Sequence, residues 1–152
     1  MGFDLYGHKA TSEKGDYFRN NIWWWRPLWE FVEMYCSDIL EEQDILRGNY
    51  NDGHLITEEK ALALAERLET LVKLGLVKLH EQYHVMRTEN LPRQQCEKCK
   101  GKRVLDNDNG EKCNMCDGKG TREHFEKWYR FETKNVEEFI EFCKESGGFT
   151  IC

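Results

Sequence analysis

Residues 96–120 read CEKCKGKRVLDNDNGEKCNMCDGKG, two C-x-x-C pairs separated by a polar stretch that ends in Asp108-Asn109-Gly110. Thiolate sulfur is a soft ligand, and two such pairs on a hairpin supply the four tetrahedral donors that zinc prefers, without help from elsewhere in the chain. Asp-Asn-Gly suits the turn that closes such a hairpin. Two positions after each pair stands a glycine, Gly101 and Gly118, as expected where a backbone at positive φ aims its amides back at sulfur. A redox C-x-x-C would instead open a helix in a βαβ setting, and neither pair has that context. Cys96, Cys99, Cys113 and Cys116 are therefore the expected ligands of a structural zinc site. Four thiolates leave no coordination position for water, so such an ion stabilises a fold and does not catalyse.

A second metal-type pattern lies upstream. His80-Glu81-Gln82-Tyr83-His84 matches H-E-x-x-H, in which two histidines one helical turn apart bind zinc and the glutamate activates a bound water. The pattern needs a third ligand. In the extended form, Arg87 stands where a glycine belongs and Asn90 where the third histidine belongs. Glu137, Glu138 or Glu141 would serve only if the last helix folded back. A zinc peptidase using His80, Glu81 and His84 is thus the enzymatic alternative.

The most unusual composition is YFRNNIWWWRPLW, residues 17–29. Consecutive side chains are about 100° apart on a helix and half a turn apart on a strand, so Trp23, Trp24 and Trp25 cannot all face one core. One reading makes the run the main core, with the asparagines capping a helix and the arginines solvated. The other exposes an aromatic beside Arg19, Asn20, Asn21 and Arg26, with Trp24 as a platform for a protein interface, a base or another flat ligand.

These residues must be positioned by a small set of elements. Gly2 to Gly7 alternates like a short strand. Pro27 suits the first turn of a helix carrying Leu28, Trp29, Val32 and Cys36 at helical spacing. Arg47 to Gly53 is turn-rich. Thr57 followed by Glu58 and Glu59 starts a helix whose face of Ala61, Leu64, Ala65, Leu68, Leu71 and Val72 runs to Gly75. From about Val77 to Asn90 a further helix places Leu79, Tyr83 and Met86 on one side, and Pro92 closes it. After the cysteine module, Trp128 to Glu132 alternates like a strand. Asn135 with Glu138 then resembles a capping box for a helix with Val136, Phe139, Ile140 and Cys143 inward, stopped at Gly147-Gly148. Phe149 to Ile151 makes a short final strand.

At 152 residues the chain has the size of one ordinary domain. The formal charge of -6 repels phosphate backbones and anionic membranes as a bulk field. The module at 93–122 carries eight basic and five acidic residues, a formal +3 that four thiolates and a zinc dication lower to near +1. Nucleic-acid binding through this module is a weaker alternative. No stretch is apolar for the length of a bilayer, and no leader pattern precedes the first strand, which makes a cytoplasmic chain the expectation. Seven cysteines, three of them scattered as Cys36, Cys143 and Cys152, do not suggest a secreted disulfide framework. Cys36 and Cys143 sit at core helix positions, and Cys152 is expected to pack at a strand end.

CEKCKGKR and CNMCDGKG resemble the C-x-x-C-x-G-x-G modules of the DnaJ-type cysteine-rich zinc domain. The second matches throughout, and the first has Arg103 in place of the last glycine. Two modules instead of four imply one zinc. Over nearly its full length, through MGFDLYG, YFRNNIWWWRPLW, the YNDG loop, the paired cysteines and GGFTIC, the chain resembles a family of uncharacterised small proteins of bacteria and bacteriophages. That resemblance implies a small zinc-containing domain and no particular activity.

Together these features predict an α+β fold, a single domain of about four helices with a few short strands and a zinc hairpin inserted at 93–122. The expected function is that of a zinc-binding interaction protein with a protein partner.

Overall fold

The computed structural model describes residues 2–105 and 109–152, so the expected turn at Asp108-Asn109-Gly110 lies partly outside the described residues. The chain forms two compact units, one of residues up to Val85 together with Tyr129–Cys152, the other Met86–Trp128. The fold is α+β.

In the larger unit both ends of the chain become strands. β1 (Gly2–Gly7) pairs with β2 (Tyr17–Asn21) on one side and with β6 (Phe149–Ile151) on the other, and β3 (His54–Ile56) completes an antiparallel sheet of order β2-β1-β6-β3. The register sets Leu5 opposite both Phe18 and Ile151, and Ile56 opposite Phe149. Because strand side chains alternate, this register turns Phe3, Leu5, Phe18, Ile56, Phe149 and Ile151 to one buried face.

Helices cover that face. Asn21 caps α2 (Ile22–Cys36) by accepting the Trp23 N–H at 3.0 Å. α4 (Glu58–Lys73) starts at Thr57 as the capping hydroxyl predicts, and it packs along α6 (Thr133–Glu145). The expected inward residues of both helices are buried, except Val72, which is half-buried against the core. α6 ends where Gly147 and Gly148 take φ of 63° and 86°, values that favour glycine. Six α-helices are present among the described residues instead of about four. The additional two, α1 (Glu13–Asp16) and α3 (Glu42–Arg47), are too short to show a helical period.

Four expectations are corrected. Pro27 lies in the interior of α2, not in its first turn. A proline there leaves the carbonyl four residues back without its helical donor, and the Arg130 N–H fills that role by donating to the Trp23 carbonyl at 2.8 Å. The segment after Trp128 is accordingly no strand: a 3₁₀ turn, Phe125–Trp128, ends there, and Arg130 spends its amide on α2. α6 begins at Thr133 with Glu132 at its N-cap, so Asn135 does not cap it. Instead the Asn135 side chain accepts a hydrogen bond from Asn20.

The fourth correction has the widest effect. α5 (Leu76–Glu89) forms, yet Leu79, Tyr83 and Met86 are exposed. Val77, His84 and Thr88 are the buried positions. The face that looked apolar in sequence is the one in solvent.

Trp25 and Trp29 anchor the core. Their rings stack at 5.2 Å, and Trp25 also stacks on Phe3 and meets Phe139 edge-on. Each indole N–H finds a carbonyl, Gly48 at 2.7 Å for Trp25 and Ile45 at 3.0 Å for Trp29, which ties α3 and its following turn to α2. Cys36 and Cys143 are buried, and burial pushes the Cys36 thiol up to about 12, so both serve as small core residues. Cys152 is exposed: only its backbone engages, exchanging two 2.8 Å bonds with Asp4.

Candidate functional site

The four cysteines come together as the sequence predicts. Their Sγ atoms all lie within 4.8 Å of one another, and all four residues are buried. Cys96 to Cys113 is 3.9 Å and Cys99 to Cys116 is 3.7 Å. A tetrahedral ion with metal–sulfur bonds of about 2.3 Å requires sulfur–sulfur edges of about 3.8 Å, so the donor set fits a four-thiolate ion. A disulfide needs about 2.05 Å, and all four cysteines are free. The chemistry open to this arrangement is metal binding.

The local backbone explains the gathering. β4 (Gln94–Gln95) pairs with β5 (Thr121–Arg122), and an isolated bridge joins Val104 to Lys112. The Cys96 N–H donates to the Gly120 carbonyl and the Cys113 N–H to the Arg103 carbonyl, so each C-x-x-C pair is stitched to the end of the other. After each pair the chain turns through positive φ, at Lys100 and Gly101 and again at Asp117 and Gly118. The Gly120 N–H reaches the Cys116 sulfur at 3.2 Å. Burial works to raise this thiol. The Gly120 amide and the neighbouring cysteines outweigh it and bring Cys116 down to about 7.

The two halves are near repeats with one difference. Position 8 of each module is Arg103 in the first and Gly120 in the second, and both take positive φ, 71° and 77°. Gly120 has no alternative, since a Cβ there would come within 2.9 Å of the Gly101 carbonyl. Arg103 adopts the same region with a side chain, at a cost of about 1 kcal/mol.

This centre is the interior of its unit. Among the described residues of Met86–Trp128, the four cysteines are the only buried hydrophobic side chains, with Leu105 half-buried against them. The large apolar residues point outward: Met115 is 44%, Phe125 54% and Trp128 59% exposed. Met115 and Trp128 line a groove of about 240 Å³ beside Lys119 and Arg122.

The H-E-x-x-H stretch has a different fate. His80 and His84 share a helical face as expected, but that face is turned into the aromatic core. His80 packs edge-on against Phe31 and Phe131 at 4.9 and 4.6 Å, and His84 Nε2 donates to the Tyr129 carbonyl at 3.0 Å. Glu81 accepts from the Thr133 hydroxyl at 2.6 Å and from Lys78 at 2.8 Å. Burial opposes its ionisation, but those two partners hold it below the ordinary carboxylate value. Among the described residues the cysteines form the one group of three or more metal-capable side chains, and Glu137, Glu138 and Glu141 do not join the histidines.

Of the tryptophans, Trp25 is fully buried, Trp24 half-buried and Trp23 exposed against Tyr129. Arg19, Asn20, Asn21 and Trp24 line one open groove of about 320 Å³. Arg26 is exposed and stands outside it, because two residues beyond Trp24 it has rotated roughly 200° around the helix. The other half of the groove comes from the first turns of α6, with Glu132, Lys134, Asn135 and Glu138. Nothing in the sequence near the tryptophans signals that half, more than 100 residues away. The sole hint was the polar start of α6, which reads as capping.

No helix among the described residues is long and apolar enough to cross a membrane. Compared with models of known protein families, with curated proteins and with solved structures, the chain matches none.

Proposed function

We propose that this chain is a zinc-binding interaction protein in which the metal holds Met86–Trp128 as a recognition module for a protein partner. One observation carries the reading: the unit's interior is four thiolates, while its methionine, phenylalanine and tryptophan are displayed. A metal of on the order of 10 kcal/mol apparent affinity replaces the apolar core that so small a unit lacks. Large aromatics freed from core duty are the side chains that dominate protein interfaces. Zinc suits the donor set, being redox-inert and satisfied by four tetrahedral thiolates. A closed site of this kind supports binding, not turnover. The likeness to bacterial and phage proteins suggests a bacterial partner.

Native mass spectrometry of the parent and of a Cys113→Ser, Cys116→Ser variant tests the metal. One zinc per chain, lost in the variant, is expected. A second zinc that survives the cysteine changes and disappears in His80→Ala would favour the peptidase reading instead. Crosslinking in bacterial lysate tests the surface: a defined protein adduct should form with the parent and vanish in Phe125→Ala, Trp128→Ala, with zinc content unchanged. Lys119 and Arg122 beside Trp128 keep a nucleic-acid reading in view. Retention of RNA or DNA that falls steeply with salt, with no protein adduct, would favour it.

A further inference from the structure

We propose that the groove formed by β2, the start of α2 and the start of α6 binds an uncharged nucleobase or nucleoside. All of its lining residues belong to the larger unit, so the proposal stands apart from the metal-held module.

The floor is a pair of amides. Asn20 is 6% exposed, and its Nδ2 donates to Asn135 Oδ1 at 3.0 Å. That bond uses one of the two N–H groups of Asn20 and leaves its Oδ1 and second N–H over. No buried side-chain nitrogen or oxygen among the described residues lacks a partner, so Asn20 Oδ1 and Asn135 Nδ2, neither of which the Asn20–Asn135 bond uses, reach solvent, and the groove is the opening that both residues line. An acceptor on Asn20 and a donor on Asn135 thus stand on two amides tied to each other. A donor and an acceptor presented together are what the hydrogen-bonding edge of a nucleobase requires.

The wall is Trp24, the lone aromatic of the lining. Stacking on such a ring tolerates any base identity, so the amide floor is left to select the edge. At about 320 Å³ the space lies within the range of small-ligand pockets.

Charge decides between nucleoside and nucleotide. Arg19 is 3.6 Å from Asp4, and Lys134 is 3.7 Å from Glu138, so both rim cations are matched by carboxylates. Glu132 adds a further carboxylate to the rim. That carboxylate can accept from a ligand hydroxyl and repels a phosphate.

The test titrates the full chain with adenosine, guanosine, cytidine and uridine, and with the 5′-monophosphate of whichever binds. It is read by ligand-observed NMR and by ¹⁵N side-chain shifts. Saturable binding of at least one nucleoside at about 1 mM or below is expected. Shifts should centre on the Asn20 and Asn135 amides and the Trp24 indole. Trp24→Ala and Asn135→Ala should weaken binding about tenfold, Trp24→Phe should hold it within about threefold, and the monophosphate should bind more weakly than its nucleoside. No saturation by any nucleoside up to about 10 mM overturns the proposal, as do shifts centred elsewhere, unchanged affinity in folded Trp24→Ala, or preference for the monophosphate. Should an alanine variant fail to fold, the shift map and the monophosphate comparison on the parent still decide the question.

Discussion

Arg103 shows how much can turn on a single backbone angle. Its module departs from C-x-x-C-x-G-x-G only at this position, and the backbone keeps the glycine conformation regardless, with φ of 71°. Arg103→Gly should therefore relieve strain without changing the turn. The expected outcome is tighter metal retention by about 1 kcal/mol, measured by competition with a chelator. Gly120→Ala should do the reverse, because its Cβ would meet the Gly101 carbonyl. Asp44 is a second residue whose surroundings set its behaviour. It is buried and accepts from Lys60 Nζ at 2.5 Å, His54 Nε2 at 2.8 Å and the Glu41 N–H at 2.9 Å. Burial raises its pKa, but these donors outweigh burial and depress it below the ordinary value. A depressed folded-state pKa stabilises the fold above the unfolded value near 4, and that stability is lost as pH falls through and below it. Asp44→Asn should cost about 2 kcal/mol at neutral pH. In urea titrations the gap between variant and parent should narrow progressively as pH falls below about 4.

At the scale of elements, α5 is the instructive case. Its apolar residues Leu79, Tyr83 and Met86 form one helical stripe, and stripes of that kind usually face a core. Here the opposite face turns inward: Val77 and His84 are buried, half-buried His80 packs on Phe31 and Phe131, and His84 bonds the Tyr129 carbonyl. The His80 ring packs edge-on against phenylalanines and the His84 ring takes a backbone partner, so a histidine face can act as a core face. Two substitutions separate the alternatives by chemical denaturation. Leu79→Lys should change stability by no more than about 0.5 kcal/mol, as at any surface position. His84→Ala should cost about 1–2 kcal/mol, leaving the Tyr129 carbonyl without its donor. The reverse ranking would mean that the stripe is covered in solution. α2 makes a similar point: proline reads as a helix start, yet Pro27 sits inside the helix because Arg130, distant in sequence, supplies the missing donor to the Trp23 carbonyl.

For the whole molecule, the two units rest on different physics. The larger buries an apolar cluster that includes no residue from Met86–Trp128. The smaller buries its cysteines. Metal removal should therefore act on one unit alone. With a strong chelator, amide protection in residues 94–122 should collapse while β1, β6 and α4 keep theirs, as read by hydrogen exchange. Loss of protection throughout would show that the larger unit depends on the metal as well. The four-cysteine cluster was legible in the sequence because two C-x-x-C pairs bring their own geometry: spacing and glycine turns lie within 25 consecutive residues. The capped helix at Thr57 and the terminal strands were legible for the same reason, each being specified by neighbours in the chain. Only tertiary structure decided which face of α5 is buried, why Pro27 is tolerated, and which residues meet Trp24 across the groove. Each of these depends on a partner brought in from far along the chain, Phe131, Arg130 and Asn135 in turn. Local periodicity carries no information about such partners, because the energy that selects them exists only once the sheet and its covering helices have packed.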